Sequence, residues 1–338
     1  MNGKVLVTGG FGFIGANLVH RLLESNYQVV VLDKMTYAAN PKSLKHVLLN
    51  PRFKYYMGDI ANADLVANIL AHDNIDSVMH LAAESHVDRS IVNSSEFVQT
   101  NVVGTANLLQ QSLRYYQTAS NKEHFRFLHV STDEVFGSLG LLDLPFNEST
   151  AYDPRSPYSA SKAASDHLVR AYFHTHELPV LITNCSNNYG PYQNIEKFIP
   201  KAITNLATGR KIPLYGQGTN IRDWIHVSDH VEALITVLEK GVVGNTYCVG
   251  GELELQNVDI VRYLLDLWVE RWDGRMLPVT FDDTVEYVTD RPGHDLRYSI
   301  DNSKITKELG WKPKNSWTDG LTDTLNWYLS NWDWWYKS

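Results

Sequence analysis

Apolar residues in the first half of the chain fall into short unbroken runs, set between longer stretches where they recur every three or four positions. "KVLVTG", "QVVVLD", "FKYYMGD", "SVMHLAA", "FRFLHVST" and "PVLITNCSN" are the runs, and each predicts a strand. The stretch 14–25 reads as a helix with Leu18, Leu22 and Leu23 on one face, and further helices are predicted over 64–72, 94–115 and 157–175. Uninterrupted apolar strands separated by helices imply a parallel sheet covered on both faces. The expected fold class is therefore α/β, a doubly wound parallel sheet with its ligand site at the carboxyl ends of the strands.

Past residue 190 the rhythm loosens. Helices are predicted over 198–208 and 257–270, mixed with short strands such as "IPLYG" and "NTYCVGG". The pattern suggests a smaller mixed α/β C-terminal substrate domain, 191–338, packed on a first domain, 1–190, with segments near 220–250 returning to the first. Near the C-terminus Trp317, Leu321, Leu325 and Tyr328 lie at helical spacing, which predicts a helix docked on a core.

Composition narrows the functional classes. The 338 residues are 43% hydrophobic and 20% charged with a net charge of −8, an ordinary globular balance. Without a basic excess, nucleic-acid backbone binding is not expected as the main activity. The two cysteines, Cys185 and Cys248, sit far apart in apolar runs and predict buried free thiols rather than a disulfide or a metal site. No apolar run approaches the length of a membrane span, so a cytoplasmic protein without a membrane partner is expected.

Candidate chemistry enters with "VTGGFGFIG", which places Gly9, Gly12 and Gly15 between a predicted strand and a predicted helix. One glycine turns the chain off the strand, one lets backbone approach a pyrophosphate, and one lets the helix pack close to the sheet. The helix N-terminus then offers free N–H groups and a positive dipole to the phosphates. Asp33, ending the second strand, suits a ribose diol and would repel a 2′-phosphate, so NAD is expected over NADP. Asp59 lies after the third strand, where adenine could be edged. The sheet is then of Rossmann type.

"PYSASKAASDHLV" sets Tyr158 and Lys162 four residues apart on one helix face. A phenol is a poor base at neutral pH unless a nearby cation stabilises its anion. The Lys162 ammonium and a positively charged nicotinamide ring are expected to lower the Tyr158 pKa. "VSTDEVFG" ends a strand on Thr132 and the adjacent acids Asp133 and Glu134. Two close carboxyls disfavour each other's charge, so one base and one protonated acid side by side are feasible there.

These motifs resemble the extended short-chain dehydrogenase/reductase superfamily. More narrowly, "LAAESHVDRSI", "STDEVFG", "SPYSASKAASDHLVRAY", "TNCSNNYGPYQ", "IRDWIHVSDH" and "DRPGHDLRY" resemble the dTDP-glucose 4,6-dehydratase family, along essentially the whole chain. The resemblance implies that Tyr158 deprotonates a sugar 4-hydroxyl as carbon 4 is oxidised, with Thr132 bonding the 4-oxygen. Glu134 would then take the proton on carbon 5, and Asp133 would protonate the departing 6-hydroxyl. It also implies NAD contacts at Phe13, Ile14, Asp33, Lys34, Met35, Thr36, Asp59, Ile60, Leu81, Ala82, Ala83, Glu84, Thr100 and Asn188. Substrate contacts are implied at Ser85, Asn187, Lys197, Phe198, Pro213, Leu214, Tyr215, Arg222, Asn257, Asp290, Arg291 and His294, the substrate being dTDP-glucose. Arg222 and Lys197 suit its diphosphate, although a surface ion pair of Arg222 with Asp223 is the plain alternative. Tyr215 could stack on the base. Relatives pair as homodimers through a four-helix bundle, and Val98, Val102, Leu109, Leu113, Ala164, Leu168 and Tyr172 are candidates for that face.

The chain departs from the family pattern at Asn194-Ile195, where Phe-Pro is common, at Phe198, where Leu is usual, and in a short loop after Gly137. These touch the nucleotide side and the lid. Alternatives are a 4,6-dehydratase acting on another nucleotide sugar, a carbon-4 epimerase, and an NAD-binding scaffold without activity. The acid pair argues against the epimerase, and the Tyr158/Lys162 pair against the scaffold.

Overall fold

The computed structural model describes residues 3–119, 122–271 and 280–336. Its strands are β1 Lys4–Thr8, β2 Gln28–Asp33, β3 Phe53–Met57, β4 Ser77–His80, β5 Arg126–Thr132, β6 Val180–Cys185, β7 Asn187–Tyr189, β8 Ile212–Tyr215, β9 Ile221–His226, β10 Thr246–Val249, β11 Glu254–Gln256 and β12 Val285–Val288. Seven of them form one sheet in the order β10-β6-β5-β4-β1-β2-β3, and every pairing in it is parallel. The direction of winding reverses between β1 and β4. That is where a doubly wound sheet opens a crevice at its carboxyl ends.

The sheet forms because its central strands bury both faces. Val5, Leu6, Val7, Val78, Met79, Phe127 and Leu128 are all fully buried. One face packs against the helix Phe13–Glu24 through Leu18, Val19 and Leu22, joined by Val231, Leu234 and Leu238 from the helix Val227–Lys240. The other face carries Val66, Ile69, Leu70, Leu108, Leu109, Leu113 and Val169. Residues 227–249 thus return to the sheet as helix and as the edge strand β10.

A second core lies beyond it, built from Ile199, Ile203, Leu214, Trp224, Ile260, Leu264, Leu321, Leu325, Tyr328 and Trp335. Leu321, Leu325 and Tyr328 of the helix Trp317–Ser330 are fully buried, so the C-terminal helix docks as its spacing predicts. Small sheets β11-β9-β7 and β12-β8 flank this core.

Two expectations need correction, and one alternative falls away. The helix over 94–115 is not uniform: Ser95–Phe97 and Thr105–Thr118 are α-helical, with a π-helical stretch, Val98–Gly104, between them. The wider turn directs Asn101 inward, where it bonds the Glu84 backbone at 2.9 and 3.0 Å and donates to the Ser161 hydroxyl at 2.8 Å. Such π turns tend to sit at functional sites. Leu109 and Leu113 belong to the sheet core rather than to an outward face, whereas Val98 and Val103 are exposed. Finally, Arg222 and Asp223 do not pair. Neighbours on a strand point to opposite faces, so Asp223 accepts from the Gly251 and Leu253 N–H groups while Arg222 turns the other way.

Both cysteines are free and buried. Among the described residues no helix is long and apolar enough to cross a membrane.

Candidate active site

A long cleft runs along the carboxyl ends of β1, β2, β4, β5 and β6. Its lining includes Gly9, Gly12, Phe13, Ile14, Gly15, Asp33, Lys34, Thr36, Asp59, Ile60, Leu81, Ala82, Ala83, Glu84, Ser85 and Thr100. It continues past Thr132, Asp133, Glu134, Tyr158 and Lys162 to Asn187, Asn188 and Lys197. Every expected cofactor position except Met35 faces this space; Met35 instead gives its N–H to Asp33 at 2.7 Å.

The glycines shape the nucleotide end. Gly9 has φ +73, in the left-handed region that favours glycine, and a Cβ on Gly15 would lie 2.1 Å from the Gly9 carbonyl oxygen. The helix that follows starts at Phe13 with no side chain capping it, so its first amides face the cleft. Asp33 also accepts from the Phe11 N–H at 2.9 Å, and burial pushes its carboxyl up while these two bonds hold it down. Lys34 pairs with Asp59 at 2.8 Å. Anion-binding amides at one end and a fixed carboxylate at the other fit a dinucleotide.

At the reacting end, β5 stops at Thr132 and the chain turns through Asp133–Phe136. The Thr132 hydroxyl accepts from the Glu134 N–H at 3.2 Å and donates to Asp133 Oδ1 at 3.2 Å. Asp133 is buried, and its Oδ2 has no partner among the described residues. Burial first, then the neighbouring Glu134 charge, pushes the Asp133 carboxyl well above its ordinary value. Glu134 is raised by burial as well, but Arg291, Arg222 and Lys197 pull it back. Both carboxyls are therefore pushed up, but unequally in cause: Asp133 is raised by burial and by the Glu134 charge together, while three cations work against burial at Glu134.

Tyr158 and Lys162 lie on the inner face of the helix Pro157–His176, whose start is fixed by Pro157 in the first turn and a capping box between Ser156 and Ser159. Lys162 donates to the Val130 carbonyl at 2.9 Å. The protein alone does not lower the Tyr158 pKa as expected. Burial, then the Glu134 charge, pushes the phenol well above its ordinary value, with a hydrogen bond to Thr132 acting the other way.

Of the remaining predicted substrate positions only Lys197 lines the cleft; Tyr215, Arg291 and His294 gather with Asp88 and Asp290 into a separate group, the approach on the sugar side. The Arg222 guanidinium stacks on the Tyr298 ring at 4.2 Å and donates to the carbonyls of Ile221, Asp295 and Leu296 at 2.7, 2.9 and 3.4 Å. Tyr215 donates to Asp88 at 3.0 Å, Arg291 lies 3.6 Å from the same carboxylate, and His294 contacts Asp290 at 2.6 Å. Pro213 is half-buried beside Tyr215, and Asn257 opens the helix Asn257–Glu270 with its N–H on the Asn220 carbonyl. The Leu214 side chain is buried in the second core and that of Phe198 packs against it, leaving Leu214 only its backbone for a ligand. Lys197 donates to the Ser85 carbonyl at 2.8 Å.

Sequence reasoning missed Asp88, which ties Tyr215 to Arg291, and Glu196, which lines the cleft and pairs with Arg89 and His86. It also missed Ser186 and Gln193 in the lining, where Asn194, noted only as a departure from the family pattern, stands as well. Asp88 sits in "ESHVDRS" beside other polar residues, and only the fold reveals which of them faces the approach.

Comparison with known proteins agrees with this geometry. Residues 6–324 match the family model described as GDP-mannose 4,6 dehydratase. A dTDP-glucose 4,6-dehydratase of Escherichia coli is 49% identical over 99% of this chain and 96% of its own length. The structure of DesIV, a dTDP-glucose 4,6-dehydratase from Streptomyces venezuelae with NAD bound, superposes with a TM-score of 0.90 at 45% identity, covering 98% of each chain. That of a dTDP-glucose 4,6-dehydratase from Bacillus anthracis in complex with NAD has a TM-score of 0.88 at 41% identity, again over 98% of each chain. With its motifs, its sheet order and its acid pair all in place, the chain belongs to the dTDP-glucose 4,6-dehydratase family.

Proposed function

We propose that the chain is an NAD-dependent lyase that converts dTDP-glucose to dTDP-4-keto-6-deoxyglucose and water. The observation that carries this reading is the adjacent acid pair at the end of β5, Asp133 buried with Oδ2 unpartnered among the described residues and Glu134 beside it, both lining the same cleft as Tyr158 and Lys162. Three cations work against the rise that burial causes at Glu134, but not to the same degree at Asp133. An epimerase that only inverts carbon 4 has no use for such a pair.

Each side chain then has one task. Tyr158 takes the proton of the 4-hydroxyl, Lys162 supplies positive charge behind it, and Thr132 bonds the 4-oxygen. Glu134 takes the carbon-5 proton, which the ketone at carbon 4 has made acidic, and a proton returns to carbon 5 when carbon 6 is reduced. Asp133 gives its proton to the 6-hydroxyl so that the group leaves as water. NAD⁺, when bound, would supply the hydride acceptor for carbon 4, the hydride donor for carbon 6 and a positive ring that favours the Tyr158 phenolate. Asp33, Lys34, Asp59 and the glycine loop hold that cofactor. Arg222, Arg291, Lys197, Asp290, His294, Asn257 and Tyr215 face the nucleotide sugar.

The protein incubated with dTDP-glucose should yield a keto sugar that absorbs in alkali, with no net accumulation of NADH. Formation of dTDP-galactose would overturn the reading, and faster turnover of a UDP-, CDP- or GDP-sugar would move it to another nucleotide. A homodimer is part of the same proposal, supported by the exposed Ile91, Val92, Val98 and Val103 beside the π turn. Light scattering that gives a monomer mass would remove it.

A further inference from the structure

Beneath the catalytic helix lies a buried polar cluster to which the reaction as described gives no role. Asp166 is completely buried, four residues after Lys162 on the same helix. Its Oδ2 accepts from the Ser131 hydroxyl at 2.9 Å, the Tyr152 phenol at 2.8 Å and the Asn184 amide at 3.2 Å, and its Oδ1 lies 3.1 Å from His129 Nε2. A carboxylate costs several kcal/mol to bury unless its charge is compensated. Three donors on one oxygen show that the fold keeps this group an anion.

We propose that Asp166 is a positioning residue of the reaction, its buried carboxylate one helical turn from Lys162 keeping that lysine charged and thereby keeping Tyr158 able to act as a base. The proposal rests on the roles of Tyr158 and Lys162 given above. The other groups around Lys162 cannot substitute for Asp166. His80 of β4 is fixed between the Thr8 and Thr105 hydroxyls at 2.7 and 2.9 Å, and burial holds it neutral. His129 of β5 is held down to about 4 by burial and by Lys162 itself. Cys185 of β6 is pushed up by burial and stays a thiol, and Tyr158 is raised on the same helix. Burial lowers Lys162, and Asp166 is the leading influence that raises it. Arg170, one turn further on, is occupied with the Tyr152 hydroxyl at 2.8 Å and Thr246 at 3.2 Å.

Asp166→Asn keeps the size and loses the charge. The readout is the carbon-4 oxidation step in a single turnover, followed by absorbance of enzyme-bound NADH as a function of pH; Asp133 and Glu134 transfer no proton in this step, and both are unchanged in the variant. The step should slow by about tenfold or more at neutral pH with little change in KM. Its alkaline loss should begin at a pH lower by roughly one unit or more, the shift expected when an opposite charge close by is removed. An unmoved alkaline limb, whatever the rate, overturns the proposal. If the Asn variant does not fold, Asp166→Glu retains the charge and should keep the limb where it is. A limb displaced in that variant would mean that charge is not the cause. Wild-type protein that forms no keto sugar would instead undo the reading of the site on which the proposal rests.

Discussion

The cofactor side and the sugar side of the cleft are built by different means. The cofactor side hangs on strand ends and backbone: Gly9, Gly12 and Gly15, the first amides of one helix, and an Asp33 fixed by two N–H groups. The approach on the sugar side is assembled from side chains far apart in sequence. Asp88 meets Tyr215 and Arg291, and Arg222 reaches the carbonyls of Asp295 and Leu296. One side is rigid because its backbone is committed to the sheet. The other depends on ion pairs and rings near solvent, with Tyr215 39% exposed. The acid pair stands where the two meet, its position set by the sheet and its charges set by the arginines opposite.

The difference predicts how variants divide. Glu134→Gln should have the largest effect, lowering full turnover by about 10²- to 10⁴-fold, the usual weight of a general base. It should block solvent deuterium entry at carbon 5 while carbon-4 oxidation persists; unchanged turnover would remove Glu134 from the mechanism. Arg291→Leu sharpens the comparison, because it touches both binding and charge. Arg291 is the first influence holding Glu134 down against burial, so losing it raises the Glu134 pKa. Since Glu134 works as the anion, activity on the acid side should begin to fail at a higher pH than in the wild type, with KM raised about tenfold. A pH profile that superimposes on the wild type would separate the arginine from the acid. The smallest effect belongs to the second core. Tyr328→Phe removes the bond from its hydroxyl to the Gln193 carbonyl, next to the cleft-lining Asn194. It should cost about 1 kcal/mol in denaturant unfolding and leave kcat untouched.

The same contrast explains what could be read from sequence. Gly9, Gly12, Gly15 and Asp33, and likewise Tyr158 and Lys162, act at fixed local spacings, so a linear reading finds them. The seven-stranded sheet followed for the same reason, since its strands are continuous apolar runs. Asp88 and Glu196 act only through partners that folding brings to them. The Arg222–Asp223 pairing could have been rejected beforehand, because strand neighbours face opposite ways. The Tyr158 pKa is a different case. Lys162 is where the spacing puts it, but in the protein alone burial and the Glu134 charge dominate the phenol.

The side chain of Asn101 has a mechanical consequence. By bonding both the Glu84 backbone and Ser161, it rivets the strand end that lines the cofactor groove to the helix that bears Tyr158. Sliding one wall past the other would break these bonds, so a single side chain sets the spacing between them. The distance between the cofactor groove and the base is thus held by an amide that touches neither ligand.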